Sequence, residues 1–77
     1  MFEQLTKILS NQFGVSSDEI VPDAHIVNDL GADSVDIVEI IMHIEKAYRI
    51  SIEQHEYEDR TTVALLQELI SQKCNRN

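Results

Sequence analysis

Seventy-seven residues provide for one small domain with a single core. Fourteen Asp and Glu against six Lys and Arg give a formal net charge of −8, a field that repels phosphate backbones and attracts basic protein surfaces. At 43% hydrophobic, with two glycines and one proline, the chain is too apolar for disorder and too poor in turn residues for a β-sandwich or barrel.

In chain order, Leu5, Ile8, Leu9 and Phe13 recur at helical spacing and predict a first helix from about Phe2 to Phe13, stopped by Gly14. Between Val15 and Asp33 the pattern breaks at Ser16-Ser17-Asp18, Pro22-Asp23, Asn28-Asp29 and Gly31. A loop this long calls for anchors, and Ile20, Val21, Ile26, Val27 and Leu30 are the candidates. A short helical turn fits Ser17 to Ile20.

The second helix is predicted from about Ser34 to Arg49. Asp33 can cap it, and Asp36 suits the positive end of its dipole. At about 100° per residue, Ile37, Ile40, Ile41, Ile44, Ala47 and Tyr48 share the core face. Val35, Val38 and Met42 form a second, narrower stripe beside Asp36, Glu39 and Glu45. This helix therefore carries more apolar surface than one core contact requires. Residues 50 to 52 read as a link. A short third helix fits Gln54 to Arg60, with Tyr57 as its anchor. Thr61 or Thr62 caps a last helix carrying Val63, Leu65, Leu66, Leu69 and Ile70. The expected fold is all-α: a small four-helix bundle with three main helices, one short helix and a long first loop, in a single domain over residues 1–77. A frayed tail is expected over residues 73–77. Cys74 has no second thiol to pair with and reads as a free thiol on that tail.

The segment Asp29-Leu30-Gly31-Ala32-Asp33-Ser34-Val35-Asp36 concentrates the chemistry. Ser34 follows a small, flexible Gly31-Ala32 pair at a helix start, where a phosphate ester would sit in a favourable field, opposed by Asp33 and Asp36 unless partner cations or Mg²⁺ screen them. A serine nucleophile would need an oriented base. His25, His43 and His55 fall in no triad signature, and the segment lacks the second glycine of a nucleophile elbow. No metal-ligand spacing is evident either, so neither catalytic nor metal-binding residues are expected. On the residues alone, Ser34 reads as a simple helix cap.

That segment, continued by Ile37-Val38-Glu39, resembles the phosphopantetheine attachment motif of acyl carrier proteins. Length, acidity, helix order, the long loop, Met42 and Thr61-Thr62-Val63 extend the likeness over nearly the whole chain. The resemblance implies that Ser34 receives a covalent 4′-phosphopantetheine arm from coenzyme A, and that the chain is a carrier of acyl thioesters with no chemistry of its own. It implies docking through Asp33, Val35, Asp36, Glu39, Met42 and Glu45, with Glu53 and Glu56 extending the patch. The partners implied are a phosphopantetheinyl transferase and ketosynthase- or acyltransferase-type enzymes with basic surfaces. Ile44 and Ile52 are the candidates for lining an acyl pocket.

The chain departs from the family pattern at Val35, which replaces the usual leucine, and at Lys46 and Arg49 on the far end of the second helix. The link Ser51–His55 lacks the common proline-acid-acid run, and Arg60 stands where an aliphatic residue is usual. These departures point to a specialised pathway as readily as to general fatty-acid synthesis. With no membrane span and no signal-like start, a cytoplasmic monomer is expected. The competing reading is a non-covalent helical interaction module in which Ser34 only caps a helix.

Overall fold

The computed structural model describes residues 2–74 and contains four α-helices: α1 (Phe2–Phe13), α2 (Ser34–Tyr48), α3 (Gln54–Tyr57) and α4 (Val63–Cys74). A single 3-10 turn, Ser17–Glu19, interrupts the first loop and is capped by Ser16. The fold is the expected small all-α bundle. No helix among the described residues is long and apolar enough to cross a membrane.

The helix ends follow from backbone accounting. Gly14 adopts a left-handed φ of 66°, and its N–H and that of Val15 both return to the Ser10 carbonyl, 2.9 and 3.2 Å away. α2 closes in the same way with a side-chain-bearing residue. Arg49, at φ 58°, donates its N–H to the Glu45 carbonyl, and the Ile50 N–H reaches the same oxygen at 3.1 Å. Helical geometry therefore stops one residue before the expected end.

α4 begins on a strap. The Val63 and Ala64 N–H groups donate to the carbonyls of Ala24 and Pro22, at 3.1 and 3.0 Å. The Leu65 N–H bonds Thr62 Oγ1 at 3.2 Å, so Thr62 rather than Thr61 is the cap. An isolated antiparallel bridge joins His25 to Thr62, and Ile26 N–H donates to the Thr61 carbonyl at 2.8 Å. The first loop thus satisfies the first two orphan donors of α4, and Thr62 the third.

The core is built by the three long helices, the first loop and the link. Leu5 and Leu9 of α1, Ile40, Ile41 and Ile44 of α2, and Val63, Leu66, Leu69 and Ile70 of α4 are buried with Ile52 of the link. Ile20, Ala24, Ile26 and Ala32 add the loop to the same cluster. Val21 and Val27, expected among its anchors, are exposed, and Leu30 is only partly buried. Buried alanines at 24 and 32 supply close approach in their place. Ala47, expected on the core face of α2, is exposed. α3 is one turn, shorter than the expected 54–60. α4 continues through Lys73 and Cys74, which are half-buried; the rest of the expected frayed tail, residues 75–77, lies outside the described residues.

Candidate functional site at the N-terminus of α2

Ser34 is the first residue of α2 and is exposed. Asp33, not Ser34, is the cap. Asp33 Oδ1 accepts the Asp36 N–H at 2.8 Å, and Asp36 Oδ2 accepts the Asp33 N–H at 3.2 Å, a reciprocal capping box. The cap role considered for Ser34 is therefore filled by its neighbour, and Ser34 stands exposed at the edge of α2. The first helical bond, from Ile37 N–H to the Asp33 carbonyl, lies beyond the Ser34 and Val35 N–H groups, which keeps these two donors at the positive end of the helix.

The approach to Ser34 is fixed by local bonds. His25 Nδ1 accepts the N–H groups of Val27 and Asn28, at 3.2 and 3.0 Å, and Asp29 Oδ2 accepts the His25 N–H at 2.8 Å. Gly31, at φ 78°, and Ala32 then donate to the carbonyls of Val27 and Ile26. The left-handed turn at Gly31 swings the chain into the helix start, a conformation that favours glycine. The His25 ring is committed to this turn as an acceptor, which gives a histidine without a sequence motif its structural role.

A cavity of about 350 Å³ opens beside Ser34, within the ~300–1,000 Å³ range of small-ligand sites. Ile26, Ile37, Ile40, Ile41 and Leu66 form its apolar side, and Gln54, Tyr57, Glu58, Arg60 and Thr61 its α3 side. Ile44 and Ile52, the sequence candidates for this lining, are packed into the core at 0% and 8% exposure and do not line it. Periodicity finds the buried face of α2 but not the stretch of it where packing leaves a void. Arg60 lines the cavity and pairs with Glu68 on α4 at 2.7 Å.

The remaining predicted residues lie along α2. Val35, Val38 and Met42 are 63%, 49% and 60% exposed, an uncovered apolar stripe. Glu39 is exposed, whereas Asp36 and Glu45 are half-buried. Glu45 Oε2 accepts the Ile52 N–H at 2.8 Å, so this carboxylate also ties the link to α2. The amide of Gln12 on α1 holds the Asp36 carboxyl below the usual carboxylate range, aided by the Asp33 N–H. Glu56 of α3 is likewise held low, chiefly by its 2.7 Å contact with the Lys73 ammonium.

The arrangement can present a modified hydroxyl and shelter what hangs from it. The positive end of α2, with the Ser34 and Val35 N–H groups, fits a phosphodiester on the Ser34 oxygen, while the Asp33 and Asp36 carboxylates beside it keep their charge and oppose that preference.

Comparison with known sequences agrees with this geometry. The profile of the phosphopantetheine attachment site family matches residues 3–70. An acyl carrier protein of Guillardia theta is 41% identical over 73 residues, 95% of this chain and 90% of the relative. An acyl carrier protein of Syntrophobacter fumaroxidans is 42% identical over 60 residues, 78% of this chain and 74% of the relative.

Proposed function

The chain belongs to the phosphopantetheine-attachment family of acyl carrier proteins, and we propose that Ser34 is the residue that carries its 4′-phosphopantetheine arm. A carrier of this family is not an enzyme; the arm supplies a terminal thiol on which acyl groups ride as thioesters. The observation that supports Ser34 is its position: an exposed serine at the first turn of α2, relieved of capping by Asp33, at the mouth of an apolar cavity.

The cavity then shelters the acyl group. Its α2 side buries methylenes, while Gln54, Tyr57 and Arg60 set a polar limit on the α3 side. Docking runs along α2. Asp33, Asp36, Glu39 and Glu45 meet basic residues of a phosphopantetheinyl transferase and of ketosynthase- or acyltransferase-type enzymes, with Val35 and Met42 as the apolar contacts between them. Lys46 on α2, Arg49 beyond it and Arg60 in the cavity wall favour a dedicated pathway over general fatty-acid synthesis. Residues 1–77 act as one monomeric carrier domain in the cytoplasm.

The test is intact mass after incubation with coenzyme A, Mg²⁺ and a broad-specificity phosphopantetheinyl transferase. One phosphopantetheine is gained by the native chain and none by Ser34→Ala. A folded native chain that gains nothing, or a mutant that gains the arm elsewhere, removes Ser34 from this role. For the pathway, turnover with a cognate ketosynthase exceeds turnover with a generic fatty-acid one, and equal rates would refute the dedicated reading.

A further inference from the structure

α1 packs behind the docking face, yet one of its side chains reaches onto it. Gln12 Nε2 lies 3.0 Å from Asp36 Oδ1 and 2.8 Å from Glu39 Oε1. Carboxylates only accept, and an amide nitrogen carries two hydrogens, so a single half-buried side chain is shared between two anions. Asp36 and Glu39 are three residues apart on one helix face, where like charges repel and the longer Glu39 side chain is otherwise free to turn away. The other oxygen of Asp36 is held by the Asp33 N–H. Three bonds thus fix the direction of two neighbouring carboxylates on the exposed side of α2.

We propose that Gln12 is a positioning residue for partner docking, holding Asp36 and Glu39 side by side in the orientation that a partner's basic patch engages. The proposal rests on Ser34 as the attachment residue and α2 as the docking face. Its physical content is preorganisation. Ordering the carboxylates before encounter removes an entropic cost from binding, and a flexible carboxylate pair would have to be ordered during it. Gln12 is not among the residues that line the cavity, and its hydrogen bonds go to Asp36 and Glu39, so its effect falls on recognition and not on the transfer step. A hollow lined by Ile8, Asn11 and His43 adjoins Gln12 and leaves the amide its reach across to α2.

The experiment measures initial rates of arm transfer onto the apo chain, with coenzyme A, Mg²⁺ and a phosphopantetheinyl transferase, read by intact mass. Gln12→Met keeps length and helical preference and removes both donors. It raises KM for the carrier chain by about threefold with kcat unchanged, the mark of a lost docking contact. The melting temperature falls only slightly, and the Asp36 carboxyl, followed by NMR, titrates closer to 3.8. Gln12→Asn keeps the amide but is too short to span both carboxylates, and it reproduces the KM rise. Gln4→Met, an exposed change on the same helix, leaves KM alone. An unchanged KM in either folded Gln12 variant overturns the proposal, whether or not the Asp36 titration moves. A native chain that gains no arm at Ser34 instead refutes the attachment reading beneath it.

Discussion

Two walls face each other across the cavity, and they are held by different forces. On one side the loop from Ile20 to Asp33 is strapped to α4 by main-chain bonds: Ile26 to Thr61, Val63 to Ala24, Ala64 to Pro22. Its apolar side chains at Ile20, Ala24, Ile26 and Ala32 are buried in the common core. On the other side α3 is one turn long and contributes no fully buried residue. It is tied by Glu56 to Lys73, with the Arg60 to Glu68 pair just beyond it and the Glu45 to Ile52 bond just before. Main-chain bonds between neutral groups are not themselves screened by salt, whereas ion pairs whose side chains reach solvent are weak and screened. The wall that presents Ser34 is therefore the rigid one, and the wall opposite is the one that can yield to cargo.

The comparison is broken most directly in the core of the rigid wall. Ile26 is 3% exposed, and Ile26→Ala costs about 2–5 kcal/mol, a large part of what a domain of this size has to lose. Tyr57→Ala, on half-buried α3, costs clearly less. Thermal unfolding of the two variants gives the ranking, and equal losses would mean that the walls are equally anchored. Thr62→Ala comes next. It removes the only side-chain cap of α4 among the described residues beside the strap, at about 1 kcal/mol or ~4–8 °C in a domain of this size. Exchange of the Ile26 and Val63 amides should quicken with it, while α3 amides keep their native rates.

The two walls also differed in how far the sequence announced them. The long helices were legible because Leu5, Leu9, Ile40, Ile44, Leu66 and Ile70 repeat with the helical period, and that period reports burial. Ser34 and its acidic cap were legible because a helix start constrains residue types. The strap was not, since bonds such as Ala64 N–H to the Pro22 carbonyl leave no side-chain pattern to read. The turn at Arg49 was equally hidden, because a left-handed residue is signalled by glycine and here is not one. Ile44 and Ile52, the candidates for the acyl lining that follow from the family resemblance, are packed into the core. The void instead lies between Ile37, Ile40 and Ile41 of α2 and the α3 side at Gln54 and Tyr57. Gln12 escaped notice because nothing in α1 says which carboxylates stand opposite it.

Acid sharpens the comparison further. Glu56 is depressed below 4.5 by Lys73 and Asp36 below 3.8 by Gln12. A carboxyl whose folded pKa lies below its unfolded one contributes stability above the unfolded value, and that contribution is lost as pH falls through the folded value. Acid therefore withdraws both contributions, that of Glu56 as pH falls below 4.5 and that of Asp36 as pH falls below 3.8. Lys73→Met removes the main cause at Glu56. Its global melting temperature falls only slightly, by less than in Thr62→Ala, but α3 amide protection at neutral pH falls to near its acid level. If Lys73→Met leaves α3 as protected as before, the ion pair is not what holds that wall.

Salt produces the smallest global effect and the clearest separation, because it acts on the two walls with opposite sign. A net charge of −8 on so small a domain opposes the compact state, so added salt screens self-repulsion and raises the melting temperature modestly. The same screening weakens the Glu56 to Lys73 and Arg60 to Glu68 pairs, whose side chains reach solvent. The chain as a whole becomes more stable while α3 becomes relatively less so. Hydrogen exchange at low and high salt, compared residue by residue, should show α2 and the strap gaining protection and Gln54–Glu58 losing it. Millimolar Mg²⁺ should act in the same direction by screening alone. If protection instead rises uniformly from strap to α3, the ion pairs contribute nothing distinct. The compliant wall would then be compliant only because it is short, and access to the cavity would not depend on charge.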